Sequence, residues 1–208
     1  MNVMKMKNII ICCACGMLLC LFGCFHEAEL SESNQDRDWY ILEDSDDELD
    51  HLRYLVFEQY KVPIFYKDTI GSRVDGTDVY GNPVIYYEVL DPNYDLVSVN
   101  DEIEIKLAKN REQIMATVYF MKDEVLPMMS FTELLPRCFL LVESVHVACY
   151  NVSGDYRHEV NVYRSLMTSL VGKVDRLEEM SDEERKRFAV EIAAEEWASY
   201  LTQFRKEE

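Results

Sequence analysis

Histidine, cysteine and paired carboxylates are the side chains here that could do chemistry, and their spacing limits which chemistry is open to them. A zinc hydrolase of the HExxH kind needs two histidines four residues apart on a helix, with a glutamate between them as general base. The four histidines are His26, His51, His146 and His158, and no two of them are four apart. His158 is followed by a glutamate, but Val162 stands where the second ligand would be. No phosphate loop, nucleophile elbow or dinucleotide fingerprint is present either, so the sequence predicts no catalytic residue, no metal and no cofactor.

A second possible metal site, with a soft sulfur ligand, would depend on how two predicted strands pair. If the chain turns at Ser153 and Gly154, Cys149 lies across from His158, and with His146 these side chains could bind zinc or copper. The alternative is that Cys149 acts as a small apolar strand residue and that both histidines are ordinary. We favour the alternative because the register is assumed.

Several charged residues have a possible functional role and also a simpler structural explanation. The same turn would place Glu143 opposite Arg164, and we interpret these two as a cross-strand ion pair. Glu191 and Glu195 are four apart on the predicted last helix but point away from its apolar stripe, so we interpret them as a solvated face. The segment 91–102 begins like a calcium loop and ends on a glutamate, but it lacks the central glycine, which favours a plain turn.

Tyrosines near a glycine-rich stretch are the best candidates for a binding surface. The stretch, residues 68–83, has the densest turn chemistry of the chain. Aromatic rings there could form a stacking platform for a sugar or a peptide, although half-buried strand tyrosines are the common alternative. We therefore predict contacts on the face formed by residues 71–96. The candidate residues are Tyr80, Tyr86, Tyr87 and Tyr94.

The N-terminus carries five of the seven cysteines in one apolar run. Lys5 and Lys7 precede that run and no acidic residue does, which is typical of a secretory signal peptide. The run ends in Leu21-Phe22-Gly23-Cys24, which resembles the lipoprotein box of bacteria. That resemblance implies a signal peptide over residues 1–23 and lipidation of Cys24, for example with palmitate, so that acyl chains anchor the protein to a membrane. An uncleaved anchor helix is the alternative.

The residues that follow Cys24 are acidic and polar, which predicts a tether over 24–38 before a single domain over 39–208. An acidic stretch behind a lipidated cysteine resembles the surface-export signal of Bacteroidetes lipoproteins, and this implies a place in the cell envelope, at the surface of the outer membrane. The whole chain has 39 acidic and 21 basic residues, a net charge of −18. Such a balance argues against nucleic acid as a partner, because phosphate must be met by basic side chains.

The pattern of apolar residues predicts an α+β domain with amphipathic helices packed on one face of a small mixed sheet. The predicted elements are a helix at 46–60 capped by Ser45, strands at 62–66 and 84–90, a long helix at 100–126, a short helix near 131–135, a buried strand at 138–150, a returning strand at 156–167 and a last helix capped by Ser181. Cys138 and Cys149 lie on one predicted strand, roughly 36 Å apart at about 3.3 Å per residue, so we predict two free thiols.

Several segments of residues 39–150 are similar to one group of Bacteroidetes lipoproteins. The segments are LDHLRYLVFEQYKVPIFYKD, YYEVLDPNYDLV, YFMKDEVLPMM and LLPRCFLLVESV. They resemble zinc-binding metallopeptidase-like lipoproteins that are encoded beside outer-membrane nutrient importers. Because HExxH is missing, the resemblance implies a non-enzymatic accessory or binding subunit. Two alternatives stay open, a truncated or degenerate zinc metallohydrolase and a structural partner of a nutrient importer.

Overall fold

The computed structural model describes residues 37–94, 101–129, 135–151 and 154–205 of the 208-residue chain. The predicted signal peptide over 1–23, Cys24, nearly all of the tether and most of the short helix near 131–135 lie outside these residues. The elements in chain order are α1 (Glu48–Tyr60), β1 (Ile64–Phe65), β2 (Thr69–Thr77), β3 (Pro83–Val89), β4 (Asp101–Leu107), α2 (Arg111–Phe120), β5 (Phe139–Asn151), β6 (Gly154–Val160), β7 (Val162–Arg164), β8 (Ser169–Val171) and α3 (Asp182–Arg205). The predicted α+β class is confirmed.

Strand β5 organises the main sheet. Its first residues pair in parallel with β1 and with β8, and its later residues pair antiparallel with β4 and β6, while β7 adds to β8. The predicted buried strand at 138–150 is therefore confirmed. Its nearly continuous apolar sequence is typical of a strand that is covered on both faces.

The two faces of β5 belong to two different cores. Phe139 and Leu141 pack with apolar residues of all three helices, such as Val56, Val118 and Ile192. The alternate residues of β5 pack on the other side with β1, β4 and Leu90, where side chains from the chain before α1 and from β2 also reach. The helices thus cover one face, as predicted, and the second face is covered by strands and by the N-terminal segment of the domain.

The predicted helix over 100–126 is wrong over residues 101–110. Residues 101–107 form β4, whose sequence DEIEIKL alternates polar and apolar side chains, with Ile103 buried and Glu102 exposed. The helix α2 begins only after Asn110, whose side chain accepts hydrogen bonds from the backbone N–H groups of Glu112 and Gln113. It continues through a π-helical turn and a 3₁₀ turn to Met128. The longest described helix is α3.

One predicted helix cap is confirmed and one is wrong. Ser181 and Glu184 form a capping box at α3, in which each side chain accepts from the backbone N–H of the other residue, at 3.4 and 2.9 Å. At α1 the cap is Asp47, not Ser45, and its carboxylate accepts from the second and third residues after it. Ser45 instead accepts a hydrogen bond from the N–H of Asp47.

The strand register assumed for the predicted turn is also wrong. Asn151 pairs with Gly154, so His158 lies opposite Val147 and not opposite Cys149. The predicted Glu143–Arg164 ion pair does not form, because Glu143 pairs with Lys106 of β4. The returning strand ends at Val160, and the residues beyond it form β7, which pairs with β8.

The residues 68–83, predicted as turns, largely form a strand. Nine of them make up β2, which pairs antiparallel with β3 in a two-stranded sheet. Glycine at 71 and 76 is accommodated within β2, and the turn itself is short. Among the residues that the structure describes, no helix is long and apolar enough to cross a membrane.

Candidate functional site: the β2–β3 hairpin

The β2–β3 hairpin, residues Thr69–Val89, forms a sheet of its own. Within the described ranges, β2 and β3 pair only with each other. An isolated two-stranded hairpin is marginally stable in water, so this one must draw stability from what packs against it. Its two faces differ in their contacts: Trp39 and an Arg73–Tyr86 stack lie on one face, and a group of exposed apolar side chains lies on the other.

The inner face rests on Trp39. The ring of Trp39 lies against Gly71, so closely that a Cβ at that position would come within 2.1 Å of a ring carbon. Further along the same face, the Arg73 guanidinium stacks 4.3 Å from the centre of the Tyr86 ring. The Tyr86 hydroxyl donates to Glu88 at 2.9 Å, and this hydrogen bond raises the pKa of Tyr86. Polar and aromatic contacts therefore hold this face in place.

The outer face is apolar and lies open to solvent. Its residues alternate with those of the inner face along each strand, and cross-strand pairing sets Val74 beside Ile85 and Ser72 beside Tyr87. The apolar members, which are Val74, Ile85, Tyr87 and Val89, are each between 40 and 59% exposed. Of the residues paired in this ladder, those on the outer face include no Asp, Glu, Lys or Arg. A contiguous group of exposed β-branched and aromatic side chains of this kind often marks an interaction site.

The tip of the hairpin is held by hydrogen bonds and exposes two large apolar side chains. The Asp78 carboxylate accepts hydrogen bonds from the backbone N–H groups of Tyr80 and Asn82 and from the Asn82 side-chain amide, at 2.8 to 3.0 Å. The bond from the Asn82 amide contributes most to lowering the pKa of Asp78. Gly81, at φ 84°, supplies the left-handed conformation that this turn needs. The turn thereby holds Val79 and Tyr80 outward, 94 and 86% exposed.

The structure places the four predicted tyrosines on different surfaces of this region. Tyr80 lies at the tip, Tyr86 on the inner face and Tyr87 on the outer face, while Tyr94 is exposed in the turn that follows β3. The aliphatic neighbours of Tyr87 were missed by the sequence analysis. Their signal is visible in PVIYYEV, where one alternating set is wholly apolar or aromatic and the other is so except for Glu88.

The segment that resembled a calcium loop is a turn in its described part. Asp91 accepts the N–H of Asn93 through its carboxylate at 2.9 Å. The side-chain amide of Asn93 forms two hydrogen bonds with the backbone of Ile103. Its oxygen accepts from the Ile103 N–H at 2.6 Å, and its nitrogen donates to the Ile103 carbonyl at 3.1 Å. Asn93 therefore fastens the chain after β3 to the edge of β4.

The candidate metal residues are not brought together where the structure describes them. His146 pairs with Glu159 across β5 and β6, and His158 stacks on Tyr156 with ring centres 5.1 Å apart. Among described residues, no three His, Cys, Asp or Glu side chains are grouped so that they could hold a metal ion. The side chain of Cys149 lies outside the described part.

Cys138 is a free, buried thiol, as predicted. Burial raises its pKa to about 11, while the Thr168 hydroxyl at 3.5 Å from the sulfur opposes that rise. A thiol held in this form is a poor nucleophile. The structure therefore assigns Cys138 to the core of the domain.

A buried ion pair that was not predicted from the sequence joins α3 to the sheet. Glu196 is only 2% exposed, and its carboxylate lies 3.3 Å from the guanidinium of Arg164 on β7. Burial raises the pKa of Glu196, and the charge of Arg164 limits that rise. Position 196 falls four residues after the buried Ile192, so helical spacing alone would have placed it on the packed face. The predicted solvated pair, Glu191 and Glu195, is exposed as expected.

No family model, no curated protein and no solved structure matches the chain.

Proposed function

We propose that this protein is a lipid-anchored lipoprotein of the cell envelope that acts as a non-enzymatic accessory or binding subunit, with the β2–β3 hairpin as its contact surface. The observation that carries the binding role is the apolar outer face together with the apolar tip. Leaving such side chains in water forgoes about 25 cal/mol for each Å² that a partner would cover. A partner that covers them gains this stabilisation on binding.

The membrane location is supported by the sequence before the domain. The cationic start, the apolar run and the Leu21-Phe22-Gly23-Cys24 segment have the order that a lipoprotein signal needs. Acyl chains on Cys24 would hold the domain at the outer membrane, where components of a nutrient importer are candidate partners. Two or more chains on one cysteine give stable anchoring where a single chain is marginal.

The anchor is tested by labelling growing cells with radioactive palmitate. We expect the wild-type protein to be labelled and the Cys24→Ala variant to lose the label. A Cys20→Ala variant is the matched control, since it removes a cysteine from the same apolar run and should keep the label. Unchanged labelling of Cys24→Ala would defeat the lipoprotein assignment.

The contact surface is tested separately by site-specific crosslinking in intact membranes. A photoreactive amino acid replaces Tyr87 on the outer face or, as a control, Val190 on α3, because both side chains are 57% exposed. We expect a crosslink to an outer-membrane protein from position 87 and not from position 190. Adding Ile85→Ser should abolish it. Equal crosslinking at the two positions would contradict a role for the hairpin.

A further inference from the structure

The two free edges of the hairpin differ in how well they are protected. Strand β2 has two irregularities in its pairing, between Thr69 and Gly71 and between Val74 and Thr77, and in each case β2 contributes the extra residue. Bulges of this kind bend an edge and protect it against further pairing. The residues of β3, Pro83–Val89, run through the same ladder with none inserted.

Strand β3 also has few of the side chains that usually guard an edge, since Glu88 is its one charged residue. Its sequence, PVIYYEV, contains no lysine or arginine, and its proline is the first residue, where it does not interrupt the edge. Five of the seven residues are β-branched or aromatic, which suits them for pairing in a sheet. Within the described ranges, β3 pairs with β2 alone.

We propose that the free edge of β3 accepts an extended segment of a partner protein, which adds a third strand to the hairpin. Main-chain hydrogen bonds supply affinity in this mode of recognition, and alternate side chains supply specificity. This inference rests on the proposed function, because it names the kind of partner that the hairpin would bind.

The side chains beside the edge specify the chemistry of that segment. On the outer face the new strand would lie beside Ile85, Tyr87 and Val89, so the segment should be apolar at every second position. On the inner face it would lie beside Tyr86 and Glu88. A basic side chain there would form a favourable cross-strand pair with Glu88, and a basic segment also suits a chain whose net charge is −18.

A second copy of this chain fits the surface less well. The four apolar side chains of the outer face, each about half exposed, offer roughly 400 Å², about half of what each partner of a stable interface contributes. A second copy would also bring a second net charge of −18. An extended segment compensates for the small area by adding backbone hydrogen bonds along β3.

The experiment measures the binding of labelled nine-residue peptides to the purified full chain by fluorescence anisotropy. One peptide alternates valine with lysine, and its control alternates valine with glutamate. Two further peptides carry N-methyl groups on the valines only or on the lysines only. Because successive N–H groups of a strand point to opposite edges, one of these two sets faces β3 and the other faces solvent.

We expect the valine–lysine peptide to bind at least about tenfold more tightly than the valine–glutamate peptide. One N-methylated peptide should lose binding and the other should keep it. Tyr87→Ser should weaken the valine–lysine peptide about tenfold, whereas Val190→Ser, the control of equal exposure, should leave it unchanged.

Three results would overturn the inference. Equal binding of the two N-methylated peptides would mean that charge alone attracts the peptide. A dimer in sedimentation velocity that Tyr87→Ser dissociates would assign the surface to a second copy. Binding to phosphatidylcholine vesicles that Tyr80→Ser abolishes, without peptide binding, would assign it to lipid. If the position-87 crosslink forms while the peptides fail, the proposed function stands and the edge inference falls.

Discussion

Replacing Arg164 with methionine is expected to destabilise the domain by about 3 kcal/mol at pH 8 and by less at pH 5.5. The change leaves the Glu196 carboxylate buried without its cation. Losing one partner of a buried ion pair costs about 3–5 kcal/mol, because the remaining charge cannot regain its hydration. We take the lower end of this range because the Arg164 side chain is itself 17% exposed.

The pH dependence follows from the direction of the Glu196 pKa. Burial already raises this pKa above its usual value, so ionisation of Glu196 costs stability as the pH rises through the folded-state pKa. Arg164 limits the rise, and its removal shifts the pKa of Glu196 further upward. Below the pKa of the wild-type folded state the carboxyl of Glu196 is neutral in the folded protein, so the loss of Arg164 removes no charge–charge attraction there, and the cost of the variant grows as the pH rises from 5.5 to 8.

Urea denaturation followed by circular dichroism, at pH values from 5.5 to 8, measures the difference in unfolding free energy between variant and wild type. The range stays above the isoelectric point, which is about 4.6. Lys186→Met, on an exposed position of α3, is the control and should change stability by less than about 0.5 kcal/mol. Glu196→Gln should remove most of the pH dependence. A loss that is the same at pH 5.5 and pH 8 would refute the reasoning, as would a loss below 1 kcal/mol at pH 8.

Two further predictions concern close packing. Gly71→Ala should push the Trp39 ring off the hairpin and destabilise the domain by about 1–3 kcal/mol, because its Cβ would overlap the ring. In a Trp197→Phe background, where Trp39 is the remaining tryptophan, the tryptophan emission should shift towards the red. An unshifted spectrum would argue against the contact. Iodoacetamide at pH 8 should alkylate Cys138 at least about 100-fold more slowly in the native chain than in urea, because its pKa is about 11 and its sulfur is buried, and mass spectrometry of the Cys138 peptide measures both rates. Equal rates would show that the thiol is accessible.

Elements with strong local signals could be predicted from the sequence. Strand β5 carries a long aliphatic run that no other element type explains as well, and α3 begins with a capping box whose hydrogen bonds form as expected. The class of fold followed from these two and from the interleaving of helices and strands. Local sequence was enough to predict these elements, because each signal depends on residues that are neighbours in the chain.

The wrong predictions arose where two periodicities agree over a short stretch. In residues 101–107, Ile103 and Leu107 are four apart, which fits a helix, but Ile105 between them fits only a strand. The cap at Asn110 was the decisive signal, since a helix that begins there cannot include β4. The register of β5 and β6 could not be read from sequence, because moving the turn by one residue shifts every cross-strand pair by two positions.

The candidate tyrosines could be picked out from the sequence, but the exposed aliphatic side chains beside Tyr87 could not. The tyrosines were noticed as aromatic residues near glycines, whereas the exposure of Val74 and Ile85 depends on what packs over the hairpin, which is a tertiary fact. Glu196 shows the converse case, because only the presence of Arg164 on β7 makes a carboxylate tolerable on the buried side of α3.

Strands β5 and β3 have similar patterns of apolar residues but are covered to different extents in the structure. Both have apolar side chains on both faces, a pattern that predicts burial on both faces. For β5 the helices cover one face and the second core covers the other. For β3 the inner face is covered only in part, with Trp39 beside Gly71 and Arg73 over Tyr86, and the outer face of Ile85, Tyr87 and Val89 lies open. Strand β5 is also paired along both of its edges, whereas within the described ranges β3 is paired along one, so an added strand would give β3 the second edge partner that the domain itself gives β5.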